Sequence, residues 1–513
     1  MFNTLRSMKK LLLLLFSALL ITLFSTCSFL YPLNPWDDAN VYMTIGNAML
    51  SGRELYVDIF DHKGPVLFFM HEAAAMLSRS SFLGIYIVEI VCCYFYLLYS
   101  LRTMRLFSSN RSFTLLLTCL LGVVTYSSDF FSYGDSVEEF SLPIFAHCLY
   151  HMLRFAKDYK VPHPCQSVAM GIGLALLFWM KFNLMFFYAG GLLALAFIAW
   201  KHEQFKEFWM VILWALGGVV VVTALVLAYF IAHGTLDALW DAYFMVNIFH
   251  YNGVAANGEP DTWWFPLVKL AIWAVLMLPI FFLRVRWEVK TLLAGAYGVL
   301  VFSFATMTVQ FYYFMTLFTF FPLLVSLPHR RLGSQSPQKK VGVALAIISL
   351  ITFDVSTNWN LVTLLNGTFP RCVLEMADII NRGDSKDNEV LTFSSYDTGI
   401  YQHTNHLPPN KNFFLSSILD PDIKAEQAEM VASGRIKYLV REIGAVNTCH
   451  EYYDAPVPQN YHLIYDKEEL FRYRFIWTPL NYLWNLTWPR PLLQHIMEPV
   501  TVNQRMQTYE RRP

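Results

Sequence analysis

The sequence predicts a polytopic α-helical membrane protein of about eleven transmembrane helices, with short surface helices in its first outer loop and a small C-terminal extracytoplasmic α/β domain. Three observations carry that expectation. Of 513 residues, 56% are hydrophobic and only 15% charged, which is more apolar side chain than one soluble core buries. Apolar runs of about 20 residues, the length that crosses a bilayer, recur as far as residue 355. Beyond that point the chain turns polar, and helical and strand-like patterns alternate.

A net charge of zero leaves no basic footprint for nucleic acid and no acidic tail, so lipid is the expected surrounding. Eight cysteines show no CxxC spacing and fall mostly in apolar runs, where a thiol acts as a small hydrophobe. The N-terminal residues include Arg6, Lys9 and Lys10, and residues 11–30 are apolar. A cleavable signal peptide is the competing reading. The run is longer than a usual signal core, and no small-x-small site precedes Tyr31 and Pro32, so a retained helix is expected. Further spans are expected near 81–101, 113–128, 139–155, 166–180, 184–200, 208–232, 264–283, 291–307, 311–327 and 341–355. This divides the chain into a transmembrane part, 1–355, with its first outer loop at 32–80, and a C-terminal domain, 356–513.

Lys and Arg near span ends set orientation. Arg102, Arg105 and Arg111; Arg154, Lys157 and Lys160; Lys201 and Lys206; Arg284, Arg286 and Lys290; and Arg330, Arg331, Lys339 and Lys340 occupy alternate loops. The intervening loops hold Asp37, Asp38, Asp58, Asp61, Asp129, Asp135, Glu138, Glu139, Asp237, Asp241, Glu259 and Asp261. The N-terminus is therefore expected in the cytoplasm, and the first loop and C-terminal domain outside, in a multi-pass inner (plasma) membrane protein. The C-terminal domain should hold helices at 374–381 and 422–433 and strands at 389–393 and 436–440. Cys372 and Cys449 would share its oxidising side, where a disulfide between them stays open.

The stretch 34–76 is too polar to cross lipid and too regularly patterned for a linker, so it reads as two short helices at the membrane surface carrying the chemistry. In the first, Asp37 and Asp38 precede Val41, Ile45, Ala48 and Met49, with Gly52 as the stop. Asp38 and Tyr42 share a face. One acid would suffice as a cap, which leaves the second without that explanation. In the second, Pro65 suits a first helical turn and sets Lys63 just before a helix N-terminus with its free N–H groups. A cation there is favourable when an anion such as phosphate binds between. Snorkelling, or pairing with Asp61, is the alternative.

The segment Asp38-Ala39-Asn40-Val41-Tyr42, with Gly46, Leu50-Ser51-Gly52, Tyr56-Val57-Asp58 and Asp61-His62-Lys63-Gly64-Pro65, resembles the first outer loop of GT-C superfamily glycosyltransferases. The branch it looks like is the bacterial group related to protein O-mannosyltransferases and the lipid A aminoarabinose transferase. The resemblance covers roughly 11–330. It implies a polyprenyl-phosphate sugar donor, a lipid, glycan or protein acceptor, and inversion at the anomeric carbon. By the same resemblance Asp38 is the general base and Lys63 binds the donor phosphate. Gly64-Pro65 stands where some relatives have two prolines, and Ala39 where some have a second acid, for which Asp37 is the substitute at hand.

Other candidates lie on the same side. Relatives place an acid in the second outer loop facing the first, and Glu138 or Glu139 fits. Lys181, a positive charge against the loop bias, is a second candidate for donor phosphate, with Asn183 beside it. Tyr312 and Tyr313 are candidates for sugar or lipid contact, and Asp37, Tyr42, Tyr56, Asp61 and His62 complete the expected substrate surface. Asp58, Asp61 and His62 make no DxD pair, so no cofactor and no obligatory metal is expected, although a divalent ion stays open. A transporter or flippase would need ionisable residues in mid-span, for which Glu89 is the candidate. A polymerase or ligase with a diphosphate-linked donor shares the topology.

Overall fold

The computed structural model describes residues 2–250, 285–305, 311–326, 348, 351–352, 354–356, 358–367, 369, 371–393, 395–414, 421–443, 457–472 and 501–511. Helix α1 (Phe2–Phe24) ends earlier than the predicted run to residue 30. Its polar continuation turns aside to bind neighbours: Ser25 Oγ donates to Glu89 Oε2 at 2.7 Å, and the Thr26 N–H and hydroxyl donate to Tyr133 O at 2.9 and 2.8 Å. The two short helices of the first loop are α2 (Asp37–Leu50) and α3 (Pro65–Ala75). Gly52, at φ +90°, supplies the left-handed step after α2.

Helix α2 does not lie open on a surface. Every residue from Ala39 to Met49 is buried, because α3 packs on one side and the helix Ile400–Thr404 on another. Helices α4 (Leu83–Phe107), α5 (Arg111–Ser127), α6 (Val137–Asp158), α7 (Pro164–Phe178), α8 (Phe186–Lys201) and α9 (Phe205–His233) follow in the predicted order. After them come Trp287–Ala305 and the 3₁₀ stretch Phe311–Phe320, which continues as Phe321–Ser326. Among the described residues three helices are long and apolar enough to cross a membrane: α4, Phe182–Lys201 and α9. Lys10–Phe24, Arg111–Ser127, Pro164–Phe178 and Tyr312–Leu323 are shorter apolar helices. The spans expected at 264–283 and over most of 341–355 lie outside the described residues. So do Glu259, Asp261, Arg284, Arg330, Arg331, Lys339, Lys340 and Cys449.

Small residues set the closest helix packing, as expected where no water drives association. A Cβ on Gly190 of α8 would collide with the Gly295 carbonyl of Trp287–Ala305, and one on Gly295 with the Gly190 carbonyl. The C-terminal region carries a four-stranded sheet in the order β1 (Val390–Thr392), β2 (Tyr438–Ile443), β4 (Thr501–Arg511), β3 (Tyr461–Arg472). β1 and β2 are parallel, joined through the helices Ile400–Thr404 and Pro421–Ala432 as a crossover requires, and the other pairs are antiparallel. β3 and β4 were not expected, since YHLIYDKEELFR and TVNQRMQTYER lack a sustained apolar alternation. The crossover and the turn before β1 seat this region on the first loop: Thr44 Oγ1 donates to Asp397 Oδ2 at 2.6 Å and Arg53 to Asn388 Oδ1 at 2.5 Å.

Candidate functional site

Trp36, not an aspartate, occupies the N-cap of α2, and no side chain bonds the free amides there. Asp37 and Asp38 therefore lie in the first turn, where the positive end of the helix favours both charges, and the capping alternative fails. Burial raises the Asp37 carboxyl well above the usual range, with Glu442, Asp38 and Asp397 adding to the effect. Asp38 stays half-buried. Its Oδ2 accepts from the Tyr42 hydroxyl at 3.3 Å, the contact that the four-residue spacing predicts. The Tyr42 ring is 2% exposed and meets Trp36, Phe68 and His71 edge-on at centroid distances of 6.4, 6.1 and 5.5 Å. The half-buried Lys63 ammonium sits over that same ring at 5.9 Å. Asp38 and Lys63 thus converge on one side chain.

The loop before α3 is held from within. Tyr56 is fully buried at φ +68°, and its hydroxyl donates to the Lys63 carbonyl at 2.6 Å while its ring stacks on Phe230. Tyr56, expected on the substrate surface, is buried and braces the loop that carries Lys63. His62 Nδ1 lies 2.8 Å from Asp61 Oδ1, and His62 Nε2 lies 3.2 Å from Lys63 Nζ. Burial opposes the charge on Asp61, yet His62 and Lys63 outweigh it and hold the carboxyl at about 2. Burial lowers the His62 imidazole, with Lys63 adding to the effect and Asp61 opposing it.

One expectation is corrected here. The α3 N-terminus does not offer free donors to a phosphate, because Gly64 N–H donates to Met180 O at 3.0 Å and Val66 N–H to Trp179 O at 3.1 Å. A Cβ on Gly64 would collide with the Trp179 carbonyl, which explains a glycine ahead of Pro65. This docking carries Lys181 into the electrostatic field of Lys63. Lys181 Nζ donates to Glu138 Oε1 at 2.6 Å and lies 3.7 Å over the Tyr313 ring and 5.7 Å over that of Tyr312. Burial lowers the Lys181 ammonium, but Glu138 and the phenol of Tyr313 raise it further, so it stays charged. Tyr312 meets Trp36 at 5.7 Å, closing the ring of contacts back to α2. Asn183 stands in the short 3₁₀ turn Phe182–Met185 that follows Lys181.

Ser136 Oγ caps α6 by accepting from Glu139 N–H at 3.0 Å, and the two glutamates then diverge. Glu138 turns to Lys181. Glu139 is fully buried, within the electrostatic field of Glu89 and Asp135. Glu89 accepts from Ser25 and from the Asp135 N–H, the latter at 2.9 Å, and so ties the end of α1, α4 and the loop between α5 and α6 together. Asp135 of the same loop reaches α3, its two oxygens lying 3.1 Å from His71 Nε2. Burial raises the Asp135 carboxyl, and His71 opposes the rise. The sequence did not single out Asp135 or His71 for the site. Nor did it single out Asn247 in the π-helix Trp240–His250, whose Nδ2 donates to His62 O at 2.6 Å and to Tyr243 O at 2.8 Å. A π-helix is rare and marks functional sites often enough to be a signal, but no sequence pattern announces one. Among the described residues no group of three His, Cys, Asp or Glu is arranged to hold a metal ion.

No protein-family profile matches the sequence, and no curated protein matches it. Solved structures do. ArnT from Cupriavidus metallidurans bound to undecaprenyl phosphate superposes with a TM-score of 0.55 at 11% identity, over 83% of this chain and 92% of that chain. Its apo form gives 0.55 at 12% identity with the same coverage. The Archaeoglobus fulgidus oligosaccharyltransferase, tethered to an acceptor peptide containing the NVT sequon, gives 0.45 at 13%, over 84% of this chain and 69% of that one. The chain shares its fold with ArnT.

Proposed function

We propose that the chain is an integral membrane glycosyltransferase that moves a sugar from a polyprenyl-phosphate donor to an extracytoplasmic lipid, glycan or protein acceptor. The observation that carries this is the convergence of the Asp38 carboxylate and the Lys63 ammonium on Tyr42, in a fold shared with a protein crystallised on undecaprenyl phosphate. Asp38 takes the proton from an acceptor hydroxyl or amine as its oxygen or nitrogen attacks the anomeric carbon. The bond from that carbon to the phosphate oxygen breaks, the configuration inverts, and polyprenyl phosphate leaves with its new charge beside Lys63. Lys181 adds positive potential, though its charge is already shared with Glu138. Asp61 and His62 orient Lys63, and the machinery needs no obligatory metal or other cofactor.

On the same reading the membrane part, 1–355, crosses an inner (plasma) membrane about eleven times, with the N-terminus cytoplasmic and residues 356–513 outside. Against a transporter reading, Glu89, its mid-span candidate, accepts from Ser25 and from the Asp135 N–H, contacts that suit a structural role. The test is transfer of radiolabelled sugar from a panel of polyprenyl-phosphate and polyprenyl-diphosphate donors by protein in lipid, scoring donor hydrolysis alongside product. Asp38→Asn should bind donor and turn it over at least 100-fold more slowly, in keeping with loss of a general base. Lys63→Ala should weaken donor binding. Normal turnover by Asp38→Asn would sink the mechanism, and use of the diphosphate donor alone would point to a polymerase or ligase.

A further inference from the structure

At the other end of α4 and α6 is a cluster that the proposed reaction does not use. Arg154 stands 16 residues beyond Glu138 on α6, about 24 Å at 1.5 Å per residue. There the Tyr99 ring packs against His147 at 4.7 Å, His151 at 6.4 Å and Tyr150 at 5.9 Å, and the two imidazoles are 4.8 Å apart. The Arg102 guanidinium lies over Tyr99 at 4.7 Å and that of Arg154 over Tyr150 at 5.7 Å. Both, with His147, lie within electrostatic range of the His151 ring. His151 is 2% exposed, and its Nδ1 is buried without a hydrogen-bond partner.

We propose that this cluster binds the phosphate of an anionic phospholipid, held by Arg102 and Arg154 with His147 and His151 beneath. Among the described residues neither arginine has a carboxylate partner, and Asp158 goes instead to Lys157 at 3.6 Å. Two guanidiniums laid on aromatic faces form a planar, poorly hydrated pair of forks, the geometry that suits phosphate. Snorkelling alone would turn them outward to water. The source is a lipid and not free phosphate, because an exposed apolar ridge leads to the cluster. Ile87, Val91 and Phe95, exposed at 44%, 44% and 43%, stand four residues apart on α4, one row that continues to Tyr99. An acyl chain along that row brings its headgroup to Arg102. Basic pockets between helix ends are where such headgroups bind.

The test uses the full chain in detergent with phosphatidylglycerol, phosphatidylcholine and inorganic phosphate as probes, read by native mass spectrometry and melting temperature. Phosphatidylglycerol should bind and raise the melting temperature, while the other two should not. Arg102→Gln with Arg154→Gln should weaken phosphatidylglycerol binding about tenfold or more. With unaltered protein, a photoactivatable phosphatidylglycerol should label peptides covering 87–102 and 147–154, competed by phosphatidylglycerol and not by phosphatidylcholine. Equal binding of the two lipids, labelling spread evenly onto α9, or binding of inorganic phosphate as tight as that of lipid would each overturn the proposal.

Discussion

Asp61 is 4% exposed and still holds its charge, because His62 and Lys63 flank it closely enough to outweigh burial. Its folded carboxyl is depressed from 3.8 to about 2, so it contributes stability above pH 4 that is lost as pH falls from about 4 to 2. The contribution is on the order of 2 kcal/mol. Hydrogen exchange in the loop 55–64 should therefore accelerate over that window, and Asp61→Asn should remove the acceleration. Lys181 and Glu138 form a pair of another kind: they are 12% and 2% exposed, and each neutralises the other. Removing one partner of a buried pair costs about 3–5 kcal/mol, whereas replacing both costs far less. Lys181→Met should accordingly lower the melting temperature steeply, and adding Glu138→Gln should restore part of the loss. A donor affinity that recovers together with stability would assign Lys181 to the fold; one that stays low would assign it to the phosphate.

The seam between the first loop and the chain after α7 decides where Lys63 points. Gly64→Ala places a methyl group against the Trp179 carbonyl and must push the two backbones apart. Overpacking of that sort costs about 1–3 kcal/mol. The expected outcome is a protein that folds but binds polyprenyl-phosphate donor at least tenfold more weakly, measured by donor titration, with hydrogen exchange faster at Val66. The seam also shows what a sequence hides. Helices α2 and α3 were legible because Pro65, Gly52 and the spacing of Asp38 and Tyr42 are local signals. The docking of Gly64 and Val66 onto residues 179 and 180 is a contact between distant segments, and it consumed the very amides that local reasoning left open for phosphate. Glu138 and Glu139 could not be told apart, since adjacent helical residues diverge only once neighbours are in place. His71 gave no pattern at all, and its partner Asp135 stood in a row of loop acids.

Across the whole molecule the C-terminal region is fastened to the helix that carries the candidate base. Thr44, within the buried face of α2, donates to Asp397, which also accepts from the Gly399 N–H at 2.9 Å. Burial raises the Asp397 carboxyl to about 6, against the lowering effect of these two donors and of the Ile400 amide. An acid whose folded value is raised keeps a proton that the released segment has shed. The docked state is therefore most favoured below about pH 4, and that advantage is lost as pH climbs through about 6. Release of 395–414 from α2 should then be more frequent at pH 7 than at pH 4.5, seen as faster hydrogen exchange in α2 and readier proteolysis between the two regions. Asp397→Asn should flatten that dependence. Thr44→Val removes a donor to a buried carboxyl and should cost about 1–3 kcal/mol of docking at neutral pH, where the group is ionised, and less at pH 4.5. If both variants exchange like the unaltered protein at each pH, the Thr44–Asp397 contact does not control the docking. Transfer activity that falls as α2 opens, in step with exchange, would make the C-terminal region part of the site's construction, because α2 holds Asp38 at its first turn and Thr44 further along.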